Sequence, residues 1–260
     1  MNKLPILMYH GVTDRLNAFE ESFTTRPCEF ASQMRFLAEH GYRSLTLRDV
    51  EATWSRGAKL PERSIVITFD DAFDCLVDVA LPIMQRHGHT ATVFAIAGFL
   101  GRENSYDQGM GASSRRIVTR EQLRTLHEAG IEIGSHTVGH PQLRRLHGDA
   151  LRHEIGDSKT MLEQLLGVEV TSFAYPYGGF SRAARLGIVD EREVSGAARA
   201  AHDAVVRGLG LDGVLGHVSA AVMACTEPTH YAHVPTGFNV PWGQGPALLA
   251  LVENLEYGGE

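Results

Sequence analysis

In "SIVITFDDAFD" (64–74) an apolar run of β-formers ends in two adjacent aspartates, Asp70 and Asp71. Carboxylates delivered side by side by a buried strand repel each other, and a divalent cation between them reverses that cost. Further on, "SHTVGHP" places His136 and His140 at i, i+4. On a helical turn this spacing projects both imidazoles to one side, as two nitrogen ligands of one metal. One carboxylate added to the two histidines makes a facial set that leaves positions open for water. The aspartate pair then divides the work: one ligates, and the other takes a proton from a water acidified by the metal. A third polar cluster, "YPYGG" (175–179), follows the run "TSFA". Taken singly, each motif has a plain reading: "DD" as a helix cap, "PYGG" as a turn, and HxxxH as coincidence in a chain with 13 histidines. The three occurring together, each just past an apolar strand, point to one site.

The elements that must bring them together alternate. Strands are expected over 4–10, 42–47, 63–69, 90–97, 131–136 and 170–176, and helices over 27–41, near 48–55, and over 74–88, 119–130 and 151–167. The 27–41 segment has an apolar face of Phe30, Met34, Phe36 and Leu37 with Gly41 as its stop, and Thr119 with Gln122 forms a capping box. Repeated β-then-α units imply a parallel sheet with covering helices. All C-terminal strand ends of such a sheet lie on one face, where the three clusters can meet. His10, at the end of the first strand, either faces that site or serves as a hydrogen-bonding support. Residues 100–116 read as a polar loop whose Tyr106 and Asp107 could line a substrate groove. Cys75 is expected to pack on a helix face rather than react. After about residue 182 the Ala-, Gly- and Arg-rich chain shows no clean strand, and "ALLALVENL" (247–255) reads as a last short helix.

The 260 residues suit one large domain. A net charge of -7 and a pI near 6.0 argue against a nucleic-acid or anionic-membrane surface. The apolar start is too short for a membrane span or signal core. Three widely spaced cysteines without a CxxC suggest reduced thiols and a cytoplasmic location. Composition leaves the oligomeric state undetermined.

"TFDDAFD", "GSHTVGHPQL" and "FAYPYGGFS", in this order and spacing, resemble the polysaccharide deacetylase family, the NodB-homology domain. "PILMYHGV", "FASQMRFLAEHGYRSLTL" and "IVTREQLRTLHEAGIEIGSH" agree, so the resemblance spans residues 4–182 of a single catalytic domain over 1–260 with a divergent C-terminal third. It implies an α/β fold, a distorted (β/α) barrel of about seven parallel strands rather than the full eight. It also implies metal-dependent removal of acetyl groups from the N-acetylated sugars of an oligo- or polysaccharide. Carried over residue by residue, Asp71, His136 and His140 correspond to the metal ligands, Asp70 to the general base, and the backbone N–H of Tyr177 to the oxyanion donor. Zinc is the default ion, with cobalt, manganese and nickel as alternatives. The general acid falls on His217 in "GVLGHV", with His230 and His233 as alternatives. Ala174 stands where the family commonly has an arginine that orients the base. Two other readings are an amidase or esterase acting on a small non-sugar substrate, and an inactive carbohydrate-binding scaffold.

Overall fold

The computed structural model describes residues 4–178 apart from 16, 18, 19, 21 and 22. Its centre is strand β5 (Ser64–Phe69), buried along its whole length, as the apolar run "SIVITF" requires of a strand covered on both faces. β1 (Ile6–Tyr9) pairs with it in parallel from Ile6 opposite Val66 to Tyr9 opposite Phe69. On the other edge, β4 (Arg43–Leu45) pairs with its first half and β6 (Thr92–Ala95) with its end. β7 (Glu132–Ser135) then adds to β6, also in parallel. A short second pair, β2 (Gly11–Val12) with β3 (Thr24–Thr25), follows β1.

Helix α1 (Pro27–Glu39) packs its apolar stripe against this sheet. Tyr9 stacks on Phe69 at 5.4 Å and meets Phe30 edge-on at 5.1 Å, and its hydroxyl donates to buried Gln33 Oε1 at 2.9 Å. Gln33, rather than the expected Phe36, completes the buried face of α1. Phe36 instead stacks on His40 at 3.9 Å, and the chain leaves the helix through left-handed Gly41 (φ 73). Helix α2 (Leu47–Ser55) starts from Thr46, whose hydroxyl accepts from Asp49 N while Asp49 reaches back. Beyond β5 come α3 (Leu81–Arg86) and a short α4 (Ser105–Gln108). Next are α5 (Arg120–Glu128), with the expected Thr119–Gln122 capping box, α6 (Gly148–Arg152) and α7 (Ser158–Leu166).

Four expectations need correction. The helix over 74–88 opens as a wide π turn, Leu76–Ala80, in which Leu81 N donates to Leu76 O. Pro82 supplies no N–H for the carbonyl four residues back, so the regular ladder cannot run through. The helix over 151–167 is likewise broken by a π turn, His153–Asp157. The strand over 170–176 shrinks to one parallel bridge, Ser135 with Phe173, because the Ala174 carbonyl bonds a histidine ring instead of a ladder partner. The polar loop 100–116 contains α4 and closes through bridges from Glu103 to Arg116 and from Phe73 to Ile117. Among the described residues the parallel sheet is open, with β1 at one edge and the Phe173 bridge beyond β7 at the other. The expected closing strands lie outside the described residues.

Candidate metal centre

Asp70 and Asp71 leave the end of β5 in different ways. Asp70 N donates to Tyr9 O at 2.9 Å, prolonging the β1–β5 ladder by one bond. The chain then turns left-handed at Asp71 (φ 69) and Ala72 (φ 58). Six described non-glycine residues have positive φ, and five of them, Asp71, Ala72, Thr137, His140 and Tyr177, belong to the segments that form this site. Each costs about 1–2 kcal/mol, strain that persists only where the surroundings hold it. Here Val118 N donates to Ala72 O at 2.9 Å and ties the aspartate turn to the base of the 100–116 loop.

His136 follows β7. Its backbone N–H donates to Ala95 O at 3.0 Å, and its Nδ1 bonds the Ala174 carbonyl at 2.9 Å. A carbonyl accepts only, so Nδ1 carries the proton and Nε2 keeps a bare lone pair. The expected helical turn between the two histidines does not form. The chain instead turns through left-handed Thr137 (φ 71) and His140 (φ 59), with His140 N donating to Thr137 Oγ1 at 2.9 Å. Glu154, on the π turn, accepts from Val138 N at 2.9 Å and Gly139 N at 2.7 Å. From the other side Ala97 N bonds Thr137 O and Gly98 N bonds Val138 O, each at 3.0 Å. A Cβ on Gly98 would stand 2.6 Å from the Val138 carbonyl oxygen, so this approach needs glycine.

These two turns bring three potential ligand atoms together. Asp71 Oδ1 lies 3.4 Å from His140 Nε2 and 3.7 Å from His136 Nε2, and the two Nε2 atoms are 3.1 Å apart. All three side chains are buried. Burial pushes the His136 pKa down to about 4 and that of His140 to about 2, so both rings are neutral and the contacts with Asp71 are not ion pairs. Burial, followed by the charges of Asp70 and Asp107, raises the Asp71 carboxyl well above the usual range. Its Oδ1 has no hydrogen-bond partner. Buried Glu132, at the opposite end of β7, shows what a satisfied carboxylate looks like: it accepts from Arg48 N, Thr92 Oγ1 and Ser172 Oγ. Asp71 lacks such donors, and a buried carboxylate oxygen without a partner beside the bare Nε2 of His136 is unfavourable without a cation between them. The donor set, its burial and its orphaned oxygen fit a divalent metal ion.

Around this triad stand five further side chains. His10, at the end of β1, is close enough to interact electrostatically with Asp70, His136 and Arg115. Burial lowers its proton affinity, while Asp70 opposes that effect. Burial raises the Asp70 carboxyl, and His10 opposes it. Tyr106 and Tyr177 both pack on the His140 ring at 4.6 Å. The Tyr106 hydroxyl is buried beside Asp107 and near enough to Asp71 to interact with its carboxyl, and the Tyr177 hydroxyl donates to Asp107 Oδ1 at 3.0 Å.

Of the residues expected from the sequence, Asp70, Asp71, His136, His140 and Tyr177 converge. His217, with its alternatives His230 and His233, lies outside the described residues. His10 emerges as the histidine beside Asp70; the signal in the sequence was its place at the end of an apolar strand. Tyr106 and Asp107 lie beside the Asp71, His136 and His140 cluster. Among the described residues it is His10, not an arginine, that interacts with Asp70. Arg115 instead pairs with Glu20 at 3.0 Å and lies against Gly11, where a Cβ would meet its guanidinium at 2.4 Å. Cys75 Sγ accepts from Val12 N at 3.3 Å, and burial drives its pKa to about 11, the mark of a packed, inert thiol.

An open parallel α/β sheet with two aspartates and two histidines gathered at its C-terminal edge defines a hydrolase-type site on a barrel-related fold. The chain belongs to the polysaccharide deacetylase family, whose match runs over residues 57–190, just over half of the 260. It is 29% identical over 179 residues to Bacillus subtilis YxkH, whose name places it in the same family, covering 69% of this chain and 58% of that protein. It is 25% identical over 167 residues to the poly-β-1,6-N-acetyl-D-glucosamine N-deacetylase of Staphylococcus aureus, covering 61% of this chain and 55% of that one. The chain thus spans little more than half the length of these curated relatives. Among solved structures, the Streptococcus pyogenes deacetylase PplD in complex with acetate superposes with a TM-score of 0.60 at 26% identity, covering 72% of this chain and 79% of that one. IcaB from Ammonifex degensii superposes with a TM-score of 0.60 over 72% of this chain and 80% of that one; at 22% identity this likeness shows the fold.

Proposed function

We propose that this chain is a metal-dependent hydrolase that removes acetyl groups from the N-acetylated sugars of an oligo- or polysaccharide. The observation that carries the reading is the buried convergence of Asp71, His136 and His140 around an Asp71 oxygen with no partner. These three residues would hold a divalent ion, zinc by default, with cobalt, manganese or nickel suiting the same donors. When bound, the ion supplies Lewis-acid polarisation of an acyl carbonyl and a water of lowered pKa. A polymer of N-acetylglucosamine is the substrate class suggested by the name of the S. aureus relative.

The chain's own residues supply the rest. Asp70, adjacent to the ligand Asp71 but not part of the triad, takes the proton of the attacking water, a role worth about 10²–10⁴-fold. The backbone N–H of Tyr177 makes no hydrogen bond to the described residues and serves the developing oxyanion, a contribution of roughly 3 kcal/mol. Among the described residues His10, beside Asp70, is the histidine placed to deliver a proton to the leaving nitrogen; His217, which the sequence assigns that role, lies outside the described residues. The position of His10 suits this: burial makes the imidazolium a readier proton donor, an effect that Asp70 opposes only in part.

The test is acetate release from β-1,6- and β-1,4-linked N-acetylglucosamine oligomers by zinc-loaded and chelator-stripped protein. Release that requires the metal supports the reading. No release from either linkage by protein that retains zinc would overturn it.

A further inference from the structure

On the reading of Tyr177 as oxyanion donor, we infer that Asp107 is a positioning residue that holds that donor in place from across the site. The Tyr177 N–H can be presented only while the residue is left-handed (φ 57, ψ 18) within the short turn Pro176–Gly178, a conformation that side-chain-bearing residues adopt at a cost. The turn itself offers little to hold it: Gly178 N bonds Tyr175 O at 2.9 Å, and the next residue, Gly178, is also left-handed (φ 63). Two contacts at the end of the side chain do hold it. The ring packs on ligand His140 at 4.6 Å, and the hydroxyl donates to Asp107 Oδ1 at 3.0 Å. Tyr177 is 47% exposed, so burial alone does not fix it.

Asp107 is suited to this because its own footing is rigid. It sits on α4, directly after buried Asn104, whose Nδ2 donates to Ser113 O and whose Oδ1 accepts from Arg115 N at 2.7 Å. Arg115 and Ser113 are both bound to buried Glu20. Ile117 and Val118, at the end of the same loop, are hydrogen-bonded to Arg102 and to Ala72 beside the metal aspartate. The segment that carries Asp107 is therefore fixed to the turn that carries Asp71, and the Asp107–Tyr177 bond closes a frame over the triad. It references the oxyanion donor to the metal ligands.

The test is a double-mutant cycle with Asp107→Ala and Tyr177→Phe in the zinc-loaded protein, with Asp107→Asn as the conservative variant. Two readouts are taken: kcat and KM for acetyl release, and the affinity for acetate measured by calorimetry. Either single change is expected to lower kcat and acetate affinity about tenfold, with KM and zinc content unchanged. The double variant is expected to lose no more than either single one. Asp107→Asn, which keeps an acceptor oxygen, is expected to recover most of the loss. Additive losses would overturn the proposal, as would a rise in KM at constant kcat, which would make Asp107 a substrate contact. Unchanged acetate affinity in both single variants would overturn it too. If the unaltered protein releases acetyl from no saccharide, the proposed function fails, and acetate affinity still decides this inference.

Discussion

Replacing Glu154 with alanine is expected to weaken metal binding about 30-fold, although Glu154 touches no proposed ligand atom. Its carboxylate accepts from the two amides between the metal histidines, Val138 N at 2.9 Å and Gly139 N at 2.7 Å. Hydrogen bonds to a charged acceptor contribute about 1.5–3 kcal/mol each when buried. Val138, Gly139 and Glu154 are only half-buried, so water recovers part of the loss and about 2 kcal/mol remains for the pair. That matters because Thr137 and His140 are left-handed and together oppose the turn by about 2–4 kcal/mol. A loop with so little reserve leaves its binding conformation when 2 kcal/mol is removed, and apparent metal affinity falls in proportion to the population lost. The figure lies within the 10–100-fold usual for partners that orient metal ligands.

The assay is zinc titration in competition with a chromophoric chelator, with thermal unfolding of the metal-free protein measured in parallel. Glu154→Gln, with an oxygen that still accepts, is expected to lose less than Glu154→Ala. Unchanged zinc affinity in Glu154→Ala, together with an unchanged melting temperature, would refute the reasoning. The bonds from Ala97 and Gly98 would then suffice to hold the loop.

Asp71→Asn is expected to abolish stoichiometric zinc binding, whereas Asp70→Asn is expected to keep zinc and lose about 10²–10⁴-fold in turnover; metal analysis beside acetate release separates the two. His10→Ala is expected to cost about 10²–10⁴-fold on an N-acetyl sugar but far less on an aryl acetate, whose leaving group departs without a proton. Equal losses on the two substrates would remove His10 as the acid. Far from the site, burial holds the His89 pKa below 6.5, with Nε2 on the Met34 carbonyl at 3.0 Å and Nδ1 unpartnered. The unfolded chain then takes up this proton first. The resulting loss of stability begins as pH falls through about 6.5 and levels off below the folded pKa. Urea unfolding at several pH values should show this slope, to which buried His10, His136 and His140 also contribute, and His89→Asn should reduce it by the His89 share.

The sequence displayed the proposed ligands but not the geometry that unites them. Apolar runs located β5, β6 and β7 within a residue or two, because a strand buried on both faces must be continuously apolar. The Asp70–Asp71 pair and the two histidines were legible from their place at the ends of those runs. The His136–His140 turn was not, since i, i+4 spacing suggests a helix. The turn is held instead by bonds from Glu154 on a distant π turn and from Ala97 and Gly98, contacts that no local pattern encodes. Asp107 was marked with Tyr106 as a groove residue, but its bond was hidden for a related reason: its partner, the Tyr177 hydroxyl, lies 70 residues away. The missing arginine at Ala174 illustrates the converse. Absence was visible in the sequence, but the structure puts His10 beside Asp70 and spends the Ala174 carbonyl on the His136 ring.

Repulsion between Asp70 and Asp71 is the obvious cost of placing them together, yet it is the smaller one. For Asp71 the loss of water outweighs the neighbouring charge of Asp70, with that of Asp107 smaller again. For Asp70 burial is opposed by His10. The difference follows from the backbone. Asp70 continues the strand and remains half-buried, within reach of a group that can carry positive charge. Asp71, turned by its positive φ, goes into a pocket whose other occupants are neutral imidazoles and tyrosine rings. Its Oδ1 has no hydrogen-bond partner among the described residues, so the fold is expected to be more stable with a cation there than without one. Metal binding should therefore raise the melting temperature of the unaltered protein and leave that of Asp71→Asn unmoved. A metal-induced rise that survives the substitution would show that the ion is held elsewhere.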